Sequence, residues 1–388
     1  MKKNLFILTV AASLVTGSAL ACSNIAVSTS QNNFIARTMD FEENTGNVFG
    51  LGRIGQKNTS DTNMSPGAKP ATWINRFNFL GQTGFHNPNI VDGINSAGVY
   101  AAYLYLPGET QYPTYNKNIN KPALGAFDAV NFILGKASSV KNALQLLSET
   151  QIVGNAISLN NPQSPGSFGV VPIHIVIRDK SGDSAVIEFI NGKIEVTHQL
   201  GHVLTNSPNI QWQNQHASRY NYVSTNNTNQ KFNGQYMNGS GFMGIPGDWT
   251  PPSRFSRATQ VIRHFPNAHD DTQALSLTRQ ALAVVEVPLG TNPSPTIWES
   301  IANLSQGTYY FKPVLKVINS RTHTYAVDNN GLNSWQTYNL SKITKQTRLP
   351  EGWIDSIIKP HTDLKKVISL MQPTEGRVST TPTPKFKR

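Results

Sequence analysis

Apolar and polar residues alternate early in the chain. SNIAVST (23–29) and NFIARTM (33–39) change character about every second residue, the period of a strand with one buried face. The polar link SQNN joins them and predicts a hairpin. IVDGINSAGVYAAYLYL (90–106) predicts a second hairpin, turning at Asn95-Ser96-Ala97-Gly98. VPIHIVIRD, SAVIEFI and KIEVTHQ then predict a meander, with turns at Ser181-Gly182-Asp183 and Asn191-Gly192. Far downstream, TYYFKPVLKVIN and HTYAVDN return to strand character.

Between these runs the period changes. Val140, Ala143, Leu144 and Leu147 recur at helical spacing, and Ser139 stands where a cap belongs. A helix is expected before it, over about Phe127 to Leu134. Another begins near Ser253 and carries Phe255, Ala258, Ile262 and Phe265. The next begins near Asp270 or Asp271 and carries Ala274, Leu277, Ala281 and Val285. Helices grouped between strand segments predict an α+β fold with helix pairs covering sheets. Residues 57–71 and 224–234 read as polar loops. No linker divides the body, so one domain is expected over 22–371, with a Pro/Thr-rich, basic tail without fixed structure over 372–388.

The first 21 residues belong to a different pattern. Lys2 and Lys3 precede an apolar run that ends in small residues, the layout of a cleavable export signal. Its apolar part is shorter than the roughly 20 residues a membrane span needs. An exported protein is expected, in a periplasm or outside the cell. Ala19 and Ala21 fit ordinary cleavage before Cys22. A lipoprotein signal also puts cysteine first after the cut, but sets Leu three residues before it, where Ala19 stands. Lipidation would make the chain a surface-anchored binding module. Ordinary cleavage leaves it without stable membrane anchoring.

Composition narrows the classes. Charged residues are 14% of the chain, below the usual quarter or so. The formal charge of +11 is spread without a dense basic run, and no nucleic-acid motif accompanies it. Phosphate-loop and dinucleotide motifs are missing, and no histidine group has metal-ligand spacing, so neither cofactor nor metal is expected. His174 lies in an apolar strand and reads as a structural histidine.

Cys22 is the only cysteine, so no intrachain disulfide can form. At a new N-terminus one residue holds two reactive groups: a thiol with reference pKa of about 8.5 and an amine of about 7.7–8.0. The amine can take the thiol proton and later return it to a leaving group. A papain-like site would need a local signature around the cysteine that is missing here. Arg37 and Asp40 lie on the strand expected to pair with the first. A cation lowers a thiol pKa, and a carboxylate can hold an amine. Residues three apart in a regular strand face opposite sides, so joint service at one site predicts a bend or bulge between them.

Six stretches carry a family resemblance: CSNI and ARTMDF, then DGIN with LYLPG, VLTNSP, and GIPGDWTPPSRFSRA. Together they resemble the choloylglycine hydrolases, which are penicillin V acylases and conjugated bile salt hydrolases among the N-terminal nucleophile hydrolases. The resemblance implies a four-layer αββα sandwich, hydrolysis of linear amide bonds in small N-acyl substrates, and a homotetramer. It implies Cys22 as nucleophile and, through its amine, base. Arg37 would lie beside the thiolate and Asp40 would orient the amine. The Asn206 side chain and the Tyr105 backbone N–H would serve the oxyanion, and Arg254 would complete the charge environment. Tyr stands at position 105 in the acylases of the family and Asn in many bile salt hydrolases. An acylase substrate is therefore expected, with bile salts as the alternative.

Overall fold

Ala21–Ser28 (β1) and Asn33–Asp40 (β2) pair antiparallel in unbroken register, from Ala21 opposite Asp40 to Ser28 opposite Asn33. The predicted hairpin is therefore present. The computed structural model describes residues 21–29, 32–42, 48–84, 87–159, 166–199, 201–226, 231–236, 241–319, 324–327, 335–346 and 353–355. Residues 1–20 of the expected export leader and the expected tail over 372–388 lie outside them.

Chain order continues with Phe49–Gly52 (β3), Phe79–Gly84 (β4), Asn87–Asn95 (β5) and Val99–Tyr105 (β6). Then come helices Ala129–Lys136 (α1) and Val140–Ser148 (α2). Ile173–Asp179 (β7), Ser184–Ile190 (β8), Lys193–His198 (β9) and Val203–Leu204 (β10) follow. Three helices come next: Ile210–Ala217 (α3), Pro251–Arg263 (α4) and Asp271–Ala283 (α5). The last large-sheet strands are Thr296–Asn303 (β11), Thr308–Pro313 (β12), Gln336–Asn339 (β13) and Trp353–Asp355 (β14).

Two large sheets result. One has six strands in the order β10-β1-β2-β11-β12-β13. The other has eight, in the order β9-β8-β7-β6-β5-β4-β3-β14. Pairing is antiparallel except between β3 and β14. The α1 and α2 helices pack on β5, β6 and β7 of the second sheet. The α4 and α5 helices pack on β1, β2 and β10 of the first. The sheets face each other through β1 and β6, giving the four-layer αββα sandwich. Strands buried on both faces explain why β2 and β11 have no exposed residue. One apolar cluster runs through all four layers, including Ile25, Ala101, Ile133 and Ala274.

Local signals behaved as their chemistry requires. Ser139 caps α2 by accepting from the Asn142 N–H, and Asp270 caps α5 from Gln273. In the second hairpin, Asn95 Oδ1 accepts from the Ala97 and Val99 N–H groups at 3.0 Å, and Gly98 takes φ +84°. Some boundaries shift. Phe127 starts in a 3-10 turn, and α1 begins at Ala129. Phe265 and Val285 lie just beyond their helices. The run from Thr308 to Asn319 breaks at Val314, and Leu315–Asn319 leaves the sheet to pair with Thr324–Val327. The polar stretch 57–71 opens with a short strand, Lys57–Thr59, paired to Thr72–Ile74. Lys231–Phe232 likewise pairs with Gln235–Tyr236. Among the described residues, no helix is long and apolar enough to cross a membrane.

Candidate active site

Cys22 is the second residue of β1 and lies opposite Met39 of β2. This register sets the thiol's neighbours. Met39 and Arg37 are two apart and share a strand face. The Cys22 sulfur is 3.6 Å from Met39 Sδ and 3.9 Å from Arg37 Nη2. Arg37 is buried and spans the gap between sheets. Its Nη1 donates to the Val91 carbonyl on β5 at 2.5 Å, and its guanidinium lies 5.3 Å from the Trp298 ring centre. Burial pushes the Cys22 thiol pKa up, and the Arg37 charge is the main opposing force.

The backbone of Cys22 meets a second group. Its N–H donates to Asn206 Oδ1 at 2.5 Å, and its carbonyl accepts from Arg254 Nη1 at 2.9 Å. Arg254, from the first turn of α4, also donates to Ser23 Oγ at 2.5 Å and to Asn206 Oδ1 at 3.0 Å. A guanidinium can only donate, so the Asn206 atom facing it must be oxygen. The Asn206 Nδ2 then points to the Tyr105 carbonyl, at 2.8 Å. One of its two hydrogens is used there, and one remains.

Tyr105 ends β6 opposite Ile173. The next N–H, of Leu106, donates to the Pro172 carbonyl, and the Ile173 N–H turns to the Tyr112 hydroxyl. Tyr105 therefore occupies a non-hydrogen-bonded place in that ladder. In an extended strand a residue's N–H and C=O point the same way. The Tyr105 N–H accordingly points to the side where its carbonyl meets Asn206.

Asp40 is fully buried and 3.7 Å from Arg254. Its carboxylate accepts from the Thr296 hydroxyl at 2.5 Å and the Thr38 hydroxyl at 3.3 Å. Burial pushes its pKa up to about 7, against the pull of Arg254 and the two hydroxyls. Burial also lowers the pKa of Arg254.

The structure thus gathers Cys22, Arg37, Asp40, Tyr105, Asn206 and Arg254 at one end of the sheets. Two sequence expectations are refined. The anticipated bulge between Arg37 and Asp40 is not in β2, whose pairing with β1 is continuous. The register shift lies across from them in β11, between Thr296 and Trp298. Regular alternation instead turns Arg37 to the thiol and Asp40 to Arg254, on opposite faces. The Cys22 nitrogen, expected beside Asp40, donates its hydrogen to Asn206. Met39, Thr296 and Trp298 were not anticipated. Hairpin register could have revealed Met39, since a known turn fixes every opposite pair. Thr296 and Trp298 come from a strand more than 250 residues away, and no local pattern announces them.

Known proteins support this reading of the fold. The profile of linear amide C–N hydrolases of the choloylglycine hydrolase family matches residues 22–340. A bile salt hydrolase/transferase of Lactiplantibacillus plantarum is 26% identical over 236 residues, 58% of this chain and 70% of the relative. A bile salt hydrolase/transferase of Clostridium perfringens is 32% identical over 44% of this chain and 51% of its own length. A penicillin V acylase of Pectobacterium atrosepticum is 25% identical over 57% of this chain and 58% of its own length. Among solved structures, the penicillin V acylase of Agrobacterium tumefaciens superposes with a TM-score of 0.61 at 22% identity, over 76% of this chain and 83% of that one. The conjugated bile acid hydrolase of Clostridium perfringens gives 0.62 at 23%, over 83% and 93%. The chain belongs to the choloylglycine hydrolase family and is a linear amide C–N hydrolase.

Proposed function

We propose that this chain is an exported cysteine amidohydrolase, activated by cleavage between Ala21 and Cys22. The Cys22 thiol is the nucleophile and the freed α-amine is the base. The observation that carries this is the separate fixing of the two reactive atoms of Cys22. Asn206 holds the nitrogen at 2.5 Å, and Arg37 lies 3.9 Å from the sulfur. After cleavage the nitrogen carries additional hydrogens. Asn206 keeps one, and Asp40, across the strand pair, accepts another.

The amine takes the thiol proton as sulfur attacks the acyl carbon. The second Asn206 amide hydrogen and the Tyr105 N–H stabilise the oxyanion, each worth about 2.7–4 kcal/mol of barrier. The amine then protonates the leaving nitrogen. Water, activated by the same amine, releases the acid from the thioester.

The lipid-anchor reading is disfavoured by Ala19, which stands where a lipoprotein signal sets Leu. Export and a homotetramer remain part of the proposal.

For substrate we propose N-acyl amides with an apolar acyl or aryl-acyl group, such as penicillin V or long-chain N-acyl homoserine lactones. Tyr105 supports this, as does the apolar Met39 side chain beside the Cys22 sulfur. Each CH₂ of acyl chain buried contributes about 0.8 kcal/mol, so kcat/KM rises with length until the pocket fills. Conjugated bile salts are the second reading, favoured by the 32% identity to a bile salt hydrolase/transferase. Two measurements test the proposal. Intact mass of the exported protein should start at an unmodified Cys22; a lipid mass or another start overturns the mechanism. A panel of penicillin V, graded acyl homoserine lactones and glycine or taurine bile conjugates should give the highest kcat/KM outside the bile salts. The reverse order overturns the substrate assignment alone.

A further inference from the structure

Asn206 does not stand on a strand. It follows β10 in the loop Thr205–Asn209, and a loop residue can hold an amide in place only if the loop is itself held. Two buried polar groups outside the site grip this loop on both sides of Asn206. His174 on β7 is fully buried, and its Nε2 lies 3.0 Å from the Thr205 carbonyl. A carbonyl only accepts, so that ring nitrogen carries the hydrogen. The other ring nitrogen lies 3.1 Å from Glu188 Oε1 on the neighbouring strand β8. Glu188, also buried, accepts the Ile210 N–H at 3.0 Å through the same oxygen and at 3.3 Å through Oε2. Ile210 opens α3, so the carboxylate satisfies one of the N–H groups that a helix start leaves without a partner. Thr205 immediately precedes Asn206, and Ile210 closes the loop four residues after it.

We infer that His174 and Glu188 are positioning residues for amide hydrolysis: they lock the Thr205–Ile210 loop to the second sheet and so aim the Asn206 amide. The inference rests on the reading of Asn206 as oxyanion donor. An amide displaced by about 1 Å loses much of its transition-state stabilisation, while substrate in the ground state notices little. The pair therefore acts on kcat. Its hydrogen bonds run to Thr205, to Ile210 and within the pair rather than to Cys22, Arg37 or Asp40, so it leaves the thiol's own reactivity alone.

Glu188→Gln discriminates between a packing role and an aiming role. A glutamine can give its N–H to the histidine ring and accept from Ile210 with its oxygen, which keeps both grips without charge. Glu188→Ala and His174→Ala each release one.

The test measures kcat and KM per titratable thiol, together with the iodoacetamide alkylation rate of Cys22, in matured protein. His174→Ala and Glu188→Ala should lower kcat at least tenfold, with KM within about twofold and alkylation unchanged. Glu188→Gln should recover kcat to within about threefold of the unsubstituted enzyme. In an Asn206→Ala background, His174→Ala should cost nothing further, because its effect passes through Asn206. Unchanged kcat per thiol in both alanine variants overturns the inference. So does a full, additive loss in the Asn206→Ala background, or an alkylation rate that follows kcat. If His174→Ala fails to fold, Glu188→Ala and Glu188→Gln carry the same comparison. If Asn206→Ala alone leaves kcat intact, the oxyanion reading fails instead, which separates the two outcomes.

Discussion

The two sides of Cys22 are built differently. Toward the second sheet, the sulfur has long, soft neighbours: another sulfur at 3.6 Å and a guanidinium nitrogen at 3.9 Å. Toward α4, nitrogen and carbonyl are held by hydrogen bonds of 2.5 and 2.9 Å, and the groups that hold them are tied to one another. Under the proposed mechanism the difference follows from what each side must do. A nucleophile has to move toward a carbon and change charge, so it is surrounded by polarisable atoms and one cation. A base and an oxyanion donor gain by staying where they are, so they are fixed by donors and acceptors that leave little freedom.

Predictions from this contrast differ in size. The largest effect belongs to the sulfur itself. Cys22→Ala should reduce amide hydrolysis by roughly 10⁴-fold or more, with far- and near-ultraviolet circular dichroism unchanged. Appreciable residual turnover would mean that the soft side is not where bonds form.

Next comes the fixed side. Asn206→Ala should lower kcat by about 10²–10³-fold and alter KM little, since an oxyanion donor acts in the transition state. Steady-state kinetics on one good substrate decides it. A rise in KM with kcat unchanged would make Asn206 a binding residue.

A smaller effect is expected from the cation on the soft side. Arg37→Met removes the main force holding the thiol pKa down against burial. The pH profile of Cys22 alkylation should move upward, with a several-fold slower rate at neutral pH. A profile that stays in place would assign Arg37 to packing on Trp298 and Val91.

The smallest effect concerns stability and Asp40. Its folded pKa of about 7 lies above its value of 3.8 in a free carboxyl. Between these values the folded chain binds a proton that the unfolded chain has released. The contribution is complete below about pH 4, fades as pH rises toward 7, and is absent above. Asp40→Asn lacks this titration. From pH 4.5 to pH 8, the Tm of the natural uncut chain should fall by a few degrees relative to that of the variant. A constant difference would place the Asp40 pKa in the ordinary carboxylate range.

Much of this site was legible before the fold was known, and the reason is local. Cys22, Arg37 and Asp40 sit in one hairpin whose alternation and turn are short-range features, so their proximity follows from pairing alone. Asn206, Tyr105 and Arg254 could be placed only by likeness to a family, because long-range sheet order brings them together. The αββα layering was expected on the same ground. The β11 strand, which gives Thr296 to Asp40 and Trp298 to Arg37, escaped because its residues TIWESIAN carry Glu and Asn on faces that turn out to be buried. His174 was read as structural. Its partners, a carboxylate one strand over and a loop carbonyl 31 residues downstream, tie it to the loop that carries Asn206.

The Cys22 nitrogen has one more consequence, and it is kinetic. In the uncut chain that nitrogen belongs to a peptide bond, with Ala21 already paired to Asp40 in the sheet. A peptide nitrogen has no basic lone pair, yet everything around it is in place. Under the proposed cleavage, activation is a single covalent event on a centre whose hydrogen bonds are already formed, with no refolding to wait for. Activity should appear in step with the appearance of the new terminus, without a lag, and the rate of processing alone should set how much enzyme is switched on.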